Sequence, residues 1–225
     1  MTSSRKHSID GLTAGSSIAI PGAASDPKSP AFGLNPQLRI QQNQLLLFSS
    51  PFGRREVITV NGGQMTVFYA GIGSRETPED VLKLMTKIAE KKQSYGHILR
   101  SGAADGADAA FEAGAGRLKE IWLPWIGFNG HDSLLVPTPQ AFELAAKYHP
   151  AWNKCRLGAR KLHARNCHQV LGKDLKTPVQ IVIGWTRDAA GGGGTGQAIR
   201  IARAYDIPVH DLGDPFTRKQ HEEEL

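Results

Sequence analysis

From residue 66 onward, short apolar segments alternate with segments whose apolar residues recur at helical spacing. The apolar run at residues 67–70 precedes a helical pattern formed by Val81, Leu84, Met85 and Ile88. Further apolar runs lie at residues 97–100, 120–123, 179–184 and 207–210, and helical patterns lie at about 107–115, 138–148, 152–171 and 197–205. Strands that alternate with helices favour a parallel sheet with helices on both faces. The sequence therefore predicts an α/β protein with a doubly wound, mainly parallel sheet.

The composition changes near Met65 and divides the 225-residue chain. Residues 1–64 are rich in Ser, Gly and Pro and contain neither Trp nor Tyr. Because such a segment buries too little apolar surface to offset its ordering entropy, we predict that it is mostly disordered. Residues 65–213 are long enough to bury a core of their own and form the predicted α/β domain. Residues 214–225 end in a run of glutamates and are predicted to be a charged, solvated tail.

Net charge and cysteine content narrow the function classes. The chain has 27 Lys and Arg residues against 21 Asp and Glu, a formal net charge of +6, which mildly favours phosphate groups or nucleic acid as partners. No apolar run approaches the roughly 18 residues of a membrane span, and no signal-peptide pattern is present. Two cysteines do not make a disulfide scaffold and fit a reducing compartment, so we expect a cytoplasmic protein.

Three glycine-rich loops follow predicted strands and lead into predicted helices: the 71–75 loop, the 101–106 loop and the 191–196 loop. The carboxyl ends of parallel strands share one edge of a sheet, where backbone amides and helix dipoles favour an anion. Glycine allows a phosphate to approach the backbone closely. The predicted phosphate- or nucleotide-binding residues in and after these loops are Gly71, Gly73, Ser74, Arg75, Ser101, Gly102, Ala103, Asp105, Gly106, Asp108, Gly192, Gly193, Gly194, Thr195 and Gly196.

Structural alternatives apply to the same loops. Glycine also merely closes turns between strands and helices, and hydroxyl groups such as those of Ser74, Ser101 and Thr195 commonly cap helices. Asp105 and Asp108 either hold a ribose hydroxyl or stabilise the start of a helix. The sequence has no Gly-Lys-Ser/Thr, which excludes an ATPase P-loop, and lacks the full NAD dehydrogenase fingerprint.

The segment at residues 152–173 is strongly basic, with six Lys and Arg residues and no acidic residue. We predict that Arg160, Arg165 and Asn166 contact phosphate or nucleic acid, and the alternative is a solvated helix surface. Cys155, His163, Cys167 and His168 lie in the same segment. Because no Cys-x-x-Cys or His-Glu-x-x-His is present, and His163 and Cys167 supply only two ligands on one face, we predict packing roles for these four and no metal site. Binding through the glycine-rich loops requires no cofactor either.

The motifs of the three loops resemble those of a known superfamily. The 71–75 loop is Gly-Ile-Gly-Ser-Arg, residues 101–108 follow Ser-Gly-x-Ala-x-Gly-x-Asp, and residues 193–195 are Gly-Gly-Thr before an Ala-rich helix. Over about residues 66–212 they resemble the Rossmann-like SLOG proteins, which include DprA-type DNA processing proteins, LOG-type nucleotide phosphoribohydrolases and sensors of nucleotide signals. The 101–108 string is the DprA-like part. The resemblance implies a Rossmann-like fold that binds nucleotides or nucleic acid.

A second resemblance concerns the LOG branch. Residues 162–166 are similar to its Met-His-x-Arg-Lys, and residues 191–195 are similar to its Gly-Gly-x-Gly-Thr. In those enzymes the Arg, here Arg165, helps to activate the N-glycosidic bond together with a Glu three residues after the Thr. Ala198 occupies that position here, and Asn166 replaces the Lys. Since alanine cannot transfer a proton, the resemblance implies binding without hydrolysis by this mechanism.

A short motif lies before the predicted domain. Gln44, Leu45, Leu47 and Phe48 form a Gln-Leu-x-Leu-Phe pattern that resembles the peptide with which bacterial DNA-handling proteins dock on the sliding clamp. The alternatives are an edge strand or a segment that covers the domain. Trp122, Trp125, Trp152 and Trp185 flank predicted loop ends, where an exposed one could stack on a base and a buried one would belong to the core.

Three functional hypotheses follow from these patterns. The first is a protein of DNA metabolism, encoded by a phage or mobile element, that binds single-stranded DNA or a nucleotide through the glycine-rich loops and the basic segment. The second is a LOG-like nucleoside 5′-monophosphate phosphoribohydrolase, for which Arg165 is the catalytic candidate. The third is a sensor or sponge of a nucleotide-derived signal. The pattern favours a binding protein over an enzyme, allows a homo-oligomer and predicts no membrane partner.

Overall fold

The computed structural model describes residues 66–225 and, before them, the backbone of four short strands. Strand β1 (Leu46–Ser49) pairs antiparallel with β2 (Arg55–Ile58), and β3 (Val60–Asn61) pairs antiparallel with β4 (Gln64–Met65). The rest of the segment at 1–64, with its predicted disorder, lies outside the described residues. Of the clamp-like motif, Gln44 and Leu45 also lie outside them, whereas Leu47 and Phe48 lie in β1.

In the described part of the chain, five parallel strands form the main sheet. They are β5 (Phe68–Gly71), β6 (Ile98–Ser101), β7 (Lys119–Ile121), β8 (Ile181–Gly184) and β9 (Val209–Asp211). Their order across the sheet is β7-β6-β5-β8-β9, and every neighbouring pair is parallel. The first strand of this sheet, β5, lies in its middle. The next strands, β6 and β7, extend the sheet on one side, and β8 and β9 extend it on the other, so the strand order switches between β5 and β8. This arrangement confirms the predicted doubly wound Rossmann-like sheet.

Among residues 66–225, six α-helices accompany the sheet: α1 (Glu79–Ser94), α2 (Ala107–Gly114), α3 (Pro139–Tyr148), α4 (Leu157–Leu171), α5 (Gly193–Ala204) and α6 (Pro215–Glu223). Helices α1 and α2 pack together, and α3 and α5 both contact α4. Within residues 66–225, no helix combines the length and the apolar character that crossing a membrane requires.

The two faces of the sheet carry separate cores because successive strand side chains point to opposite faces. On the face of α1 and α2, Tyr69 and Ile183 join Met85 and Phe111. On the other face, the neighbouring Ala70 joins residues of α3, α4 and α5. Helix α4 contacts both the sheet and α3, and residues 163–171 are consequently buried on all sides. A helix in this position holds its polar side chains away from bulk water.

Two helices begin at residues that differ from the predicted ones. Helix α4 begins at Leu157 rather than near 152, because Trp152–Lys154 forms a separate 3-10 turn and Cys155 and Arg156 are extended. Helix α5 begins at Gly193, before the predicted Gln197, so that glycines form its first turn. Glycine has a low helix propensity, and tertiary contacts therefore determine this start.

The C-terminal residues predicted as a charged tail contain helix α6. Asp214 caps the helix, since its carboxylate accepts a hydrogen bond from the Thr217 amide at 2.9 Å, and Pro215 occupies the first helical position. His221 is buried, and its Nε2 lies 2.9 Å from Nδ1 of His210 in β9. The glutamates at the end of the helix are exposed, as the sequence predicts.

The docking of α6 predicts a pH-dependent stability. Burial lowers the pKa of His221 from 6.5 to about 4. Between these values the unfolded chain binds a proton that the folded chain does not, so the free energy of unfolding falls as the pH drops from 6.5 towards 4. In this pH range His221→Gln should take up as much as one proton fewer on unfolding, so its free energy of unfolding should fall less steeply with pH than that of the parent protein. Urea unfolding at several pH values measures both slopes. Equal slopes in the two proteins would show that His221 titrates normally.

Candidate functional site

A cleft of about 920 Å³ lies at the carboxyl edge of the sheet, next to the switch between β5 and β8. All three glycine-rich loops contribute to its wall, together with α4 and the segment at residues 125–129. The predicted site residues that line it are Gly73, Ser74, Arg75, Asp105, Asp108, Arg165, Asn166, Gly192, Gly193, Gly194 and Thr195. The loops thus converge on one cavity.

The other predicted site residues lie outside the lining and make contacts within the protein. Ser101 is fully buried, and its hydroxyl donates to the Gly71 carbonyl at 2.7 Å, which joins β6 to β5. A Cβ at Gly71 would lie 2.5 Å from the Phe111 ring. The carbonyl of Ala103 accepts a hydrogen bond from Asn129 at 3.0 Å. The guanidinium of Arg160 lies 5.4 Å from the ring centroid of Trp152.

Internal packing explains the glycines of the first two loops. A Cβ at Gly73 would lie 2.4 Å from that of Ala107, and one at Gly102 would lie 1.2 Å from Nη1 of Arg165. Gly106 has a φ of +81°, and its Cβ would lie 2.8 Å from the Ser74 carbonyl. Gly196 is constrained in the same way, since its Cβ would lie 1.7 Å from the Gly191 carbonyl. These residues shape the wall without needing a ligand.

Glycines 191–194 of the third loop differ. A Cβ at any of the four would meet no atom within 4 Å. Gly191 and Gly193 have φ values of +64° and +62°, a conformation that favours glycine. Gly192 has a φ of −81°, and Gly194 also lacks a positive φ. Within the described protein, neither conformation nor packing therefore requires glycine at 192 and 194, although both line the cleft.

Side chains from neighbouring elements hold this loop in place. The Thr186 amide and hydroxyl both donate to the carboxylate of Asp211, and the Thr186 hydroxyl accepts a hydrogen bond from the Gly191 amide at 3.0 Å. Asn166 Nδ2 donates to the Gly194 carbonyl at 3.1 Å. Asn166, which was predicted as a ligand contact, thereby ties α4 to the first turn of α5.

A buried ion pair crosses the floor of the cleft. Nη1 of Arg165 lies 3.0 Å from Oδ2 of Asp108, and both side chains are less than a tenth exposed. Burial raises the pKa of the Asp108 carboxyl, and the adjacent Arg165 guanidinium opposes this rise. An arginine side chain stays charged in this setting, and its contact at 3.0 Å favours the ionised form of the Asp108 carboxyl. Arg165 is thus already neutralised by the protein before any ligand arrives.

Helix α4 also presents buried polar atoms that no described residue satisfies. Gln169 is 1% exposed, and neither its Oε1 nor its Nε2 has a hydrogen-bond partner among residues 66–225. His163 Nδ1 and Arg165 Nε are in the same condition, and all three residues line the cleft. Burial lowers the pKa of His163 to about 4, so its imidazole is neutral at pH 7. Buried polar atoms in proteins are usually hydrogen-bonded, so these atoms are available to water or to a ligand.

Gln169 was not predicted from the sequence. It lies inside a helical pattern of mixed polarity, and no motif distinguishes it from a surface glutamine. Only the position of α4 between the sheet and α3 shows that it is buried.

Aromatic side chains form one rim of the cleft. Trp125 is 41% exposed, and its ring meets the edge of the Phe128 ring at 5.0 Å. Trp185 also lines the cleft. By contrast, Trp122 is buried and stacks on His168 at 4.3 Å, and Trp152 lies outside the lining. Trp125 is therefore the tryptophan that best meets the predicted stacking role.

The charge of the lining differs from that of the basic segment. The lining contains three arginines and four carboxylates: Arg75, Arg165, Arg187, Glu76, Asp105, Asp108 and Asp188. Arg187 pairs with Glu76 at 3.0 Å. Of the six cations at 152–173, only Arg165 reaches the cleft. The segment that the sequence marks as strongly basic therefore contributes little positive charge to this cavity.

Comparison with known proteins yields structural matches only. No family model and no curated protein matches the chain. DNA processing protein A from Helicobacter pylori, solved in a study of its single-stranded DNA binding, has 16% identity, a TM-score of 0.40 and 64% coverage of each chain. Two structures of the molybdenum cofactor carrier protein from Chlamydomonas reinhardtii have 17% and 15% identity and TM-scores of 0.41 and 0.42. They cover 68% and 70% of this chain and 80% and 84% of theirs. At these values the matches carry no information about what this chain binds.

The buried ion pair predicts strong coupling between Asp108 and Arg165. In Asp108→Asn, the Arg165 guanidinium stays buried without its counter-charge, and the free energy of unfolding should fall by about 3–5 kcal/mol. The double variant Asp108→Asn/Arg165→Gln should lose less than the sum of the two single losses. Urea unfolding of the four proteins measures this difference. Strictly additive losses would mean that the two side chains do not interact.

Proposed function

We propose that the cleft binds a nucleotide and that its phosphate group sits on the first turn of α5. The observation that carries this proposal is the open space around Gly192 and Gly194. Because the protein itself does not require glycine there, an external group that approaches the backbone is the physical reason for it. The first amides of a helix have no partner within the helix, and with the helix dipole they favour an anion.

The remaining lining fits the other parts of a nucleotide. The exposed face of Trp125 offers a stacking surface for a base. Asp105 and Asp188 are carboxylates at the mouth that can accept hydrogen bonds from ribose hydroxyls. Gln169 on α4 supplies a donor and an acceptor that lack partners among the described residues. A phosphate, a sugar and a base each have a complementary group in the cavity.

The charge balance favours a mononucleotide over a DNA strand. Binding of a polynucleotide relies on several cations that neutralise successive phosphates. Here carboxylates outnumber arginines in the lining, and two of the arginines are paired with Glu76 and Asp108. A ligand with one phosphate on the 191–196 loop avoids the carboxylates elsewhere in the wall. We therefore propose a mononucleotide as the ligand of the cleft and regard single-stranded DNA as the less favoured alternative.

The position of Ala198 supports a protein that binds the nucleotide without releasing its base. Ala198 lines the cleft at the position that the LOG resemblance assigns to a proton-transferring Glu. The nearby Asp108 is held by Arg165. The proposed role is accordingly that of a nucleotide carrier or sensor.

Glycine variants test the phosphate site directly. Gly192→Ala and Gly194→Ala introduce a methyl group without a clash or backbone strain, so we expect normally folded proteins. Gly194→Ala, within the helix, should have unchanged or slightly higher stability, whereas Gly192→Ala, at the N-cap of α5, should be slightly less stable because alanine is a poor N-cap. The methyl group occupies the space of the phosphate, so the affinity for AMP in calorimetry should fall at least tenfold. Adenosine, which lacks the phosphate, should bind the parent protein and the variants equally weakly.

Gly158→Ala is the matched control, because Gly158 has no neighbour within 4 Å and lies outside the cleft lining. It should bind AMP like the parent protein. The proposal is wrong if Gly194→Ala also retains full affinity, or if a ten-residue oligothymidylate binds more tightly than any nucleoside monophosphate.

Trp125 provides a test of the base position. Loss of a stacked aromatic ring costs about 1–3 kcal/mol, so Trp125→Ala should weaken AMP binding by roughly 5- to 150-fold, and Trp125→Phe should retain most of it. Tyr95→Ala, which removes another exposed aromatic ring outside the cleft, is the control. Equal affinity of Trp125→Ala and the parent protein for AMP would show that the base does not bind at this rim.

A further inference from the structure

Next to the cleft, three potential metal ligands come together from separate parts of the chain. His149 follows α3, Cys155 follows the 3-10 turn at Trp152–Lys154, and His163 lies on α4. Their ligand atoms all lie within 4.8 Å of one another. Sγ of Cys155 is 3.7 Å from Nδ1 of His149, and the two imidazole centroids are 4.3 Å apart.

We propose that His149, Cys155 and His163 form a zinc-binding site with three protein ligands. Tetrahedral zinc has Zn–S distances of about 2.3 Å and Zn–N distances of about 2.0–2.1 Å, which place sulfur and nitrogen about 3.6 Å apart across the metal. Cys155 Sγ lies 3.7 Å from Nδ1 and 3.8 Å from Nε2 of His149, and both separations are close to this value. One thiolate and two imidazoles are ligands typical of zinc.

The hydrogen bonding of the cluster occupies one ligand atom and leaves another without a partner among residues 66–225. His163 is 9% exposed, and its Nδ1 has no hydrogen-bond partner among the described residues. Nδ1 of His149 accepts a hydrogen bond from the Ala151 amide at 3.1 Å, and metal binding exchanges this bond for coordination. The sulfur of Cys155 is 3.6 Å from the Ala151 carbonyl, and deprotonation on metal binding replaces that weak contact.

The site is distinct from the proposed phosphate site but adjoins the same cavity. His163 lines the cleft, whereas His149 and Cys155 do not. Three protein ligands leave the fourth position of a tetrahedral zinc ion open to water or another donor. The turn at residues 149–155 between α3 and α4 supplies two of the three ligands, so zinc binding also fixes this connection.

Cys167 and His168, for which the sequence also predicts packing roles, make contacts within the protein. The thiol of Cys167 donates to the Ala141 carbonyl at 3.5 Å inside the core. The imidazole of His168 lies between the Gly172 carbonyl and the Thr138 amide. His149, which no sequence motif marks, takes their place.

Metal titration of the full chain, first freed of metal by a chelator, tests the proposal. Cobalt(II) should produce a thiolate-to-metal charge-transfer band that saturates at one equivalent of metal. Added zinc should displace the cobalt and remove the band. Cys155→Ser should abolish the band, and His149→Ala should lower the zinc affinity more than about 100-fold, since a lost ligand costs more than a lost second-sphere partner. Cys167→Ala removes the other cysteine and should leave both the band and the affinity unchanged.

Circular dichroism of each variant shows that the fold is retained, and His149 is partly exposed, so its substitution by alanine is compatible with folding. The proposal is overturned if cobalt gives no charge-transfer band with the parent chain, or if Cys155→Ser and the parent chain bind zinc equally. Neither result bears on the proposed nucleotide site, whose tests use AMP without a metal.

Discussion

The ion pair between Arg165 and Asp108 organises the floor of the cleft. It joins α4, on one face of the sheet, to α2 on the other, and it passes so close to Gly102 that any side chain there would occupy the same space. A buried pair is costly to desolvate, and removal of either partner leaves an uncompensated buried charge. Here it fixes how α4 lies over the sheet edge, and with α4 the positions of Asn166 and Gln169.

The glycines of the loops around this ion pair have two different structural roles. In the 71–75 and 101–106 loops, glycine allows the chain to pack on itself around Arg165 and Ala107. In the 191–196 loop, the glycines at 192 and 194 face open space at the start of a helix. The first use builds the cavity, and the second supports our proposal that an external phosphate occupies it. Asn166 links the two because it holds Gly194 from α4.

Much of the architecture could be predicted from the sequence because it depends on local periodicity. Strand and helix order, and the meeting of the three loops at one edge, follow from alternating patterns. What the sequence could not show depends on distant contacts. Charge alone does not reveal that the Arg160 guanidinium lies over the Trp152 ring or that the Ser101 hydroxyl donates to the Gly71 carbonyl. The cluster around His149 likewise exists only because α3 and α4 fold against each other.

Backbone NMR of the isotope-labelled chain tests the central claim most directly. If a phosphate binds on the first turn of α5, AMP should shift the amide resonances of Gly193, Gly194 and Thr195 strongly, and adenosine at the same concentration should leave them unchanged. If AMP leaves these three amides unmoved while it shifts resonances elsewhere, or if adenosine shifts them equally, the phosphate does not bind there and the account fails.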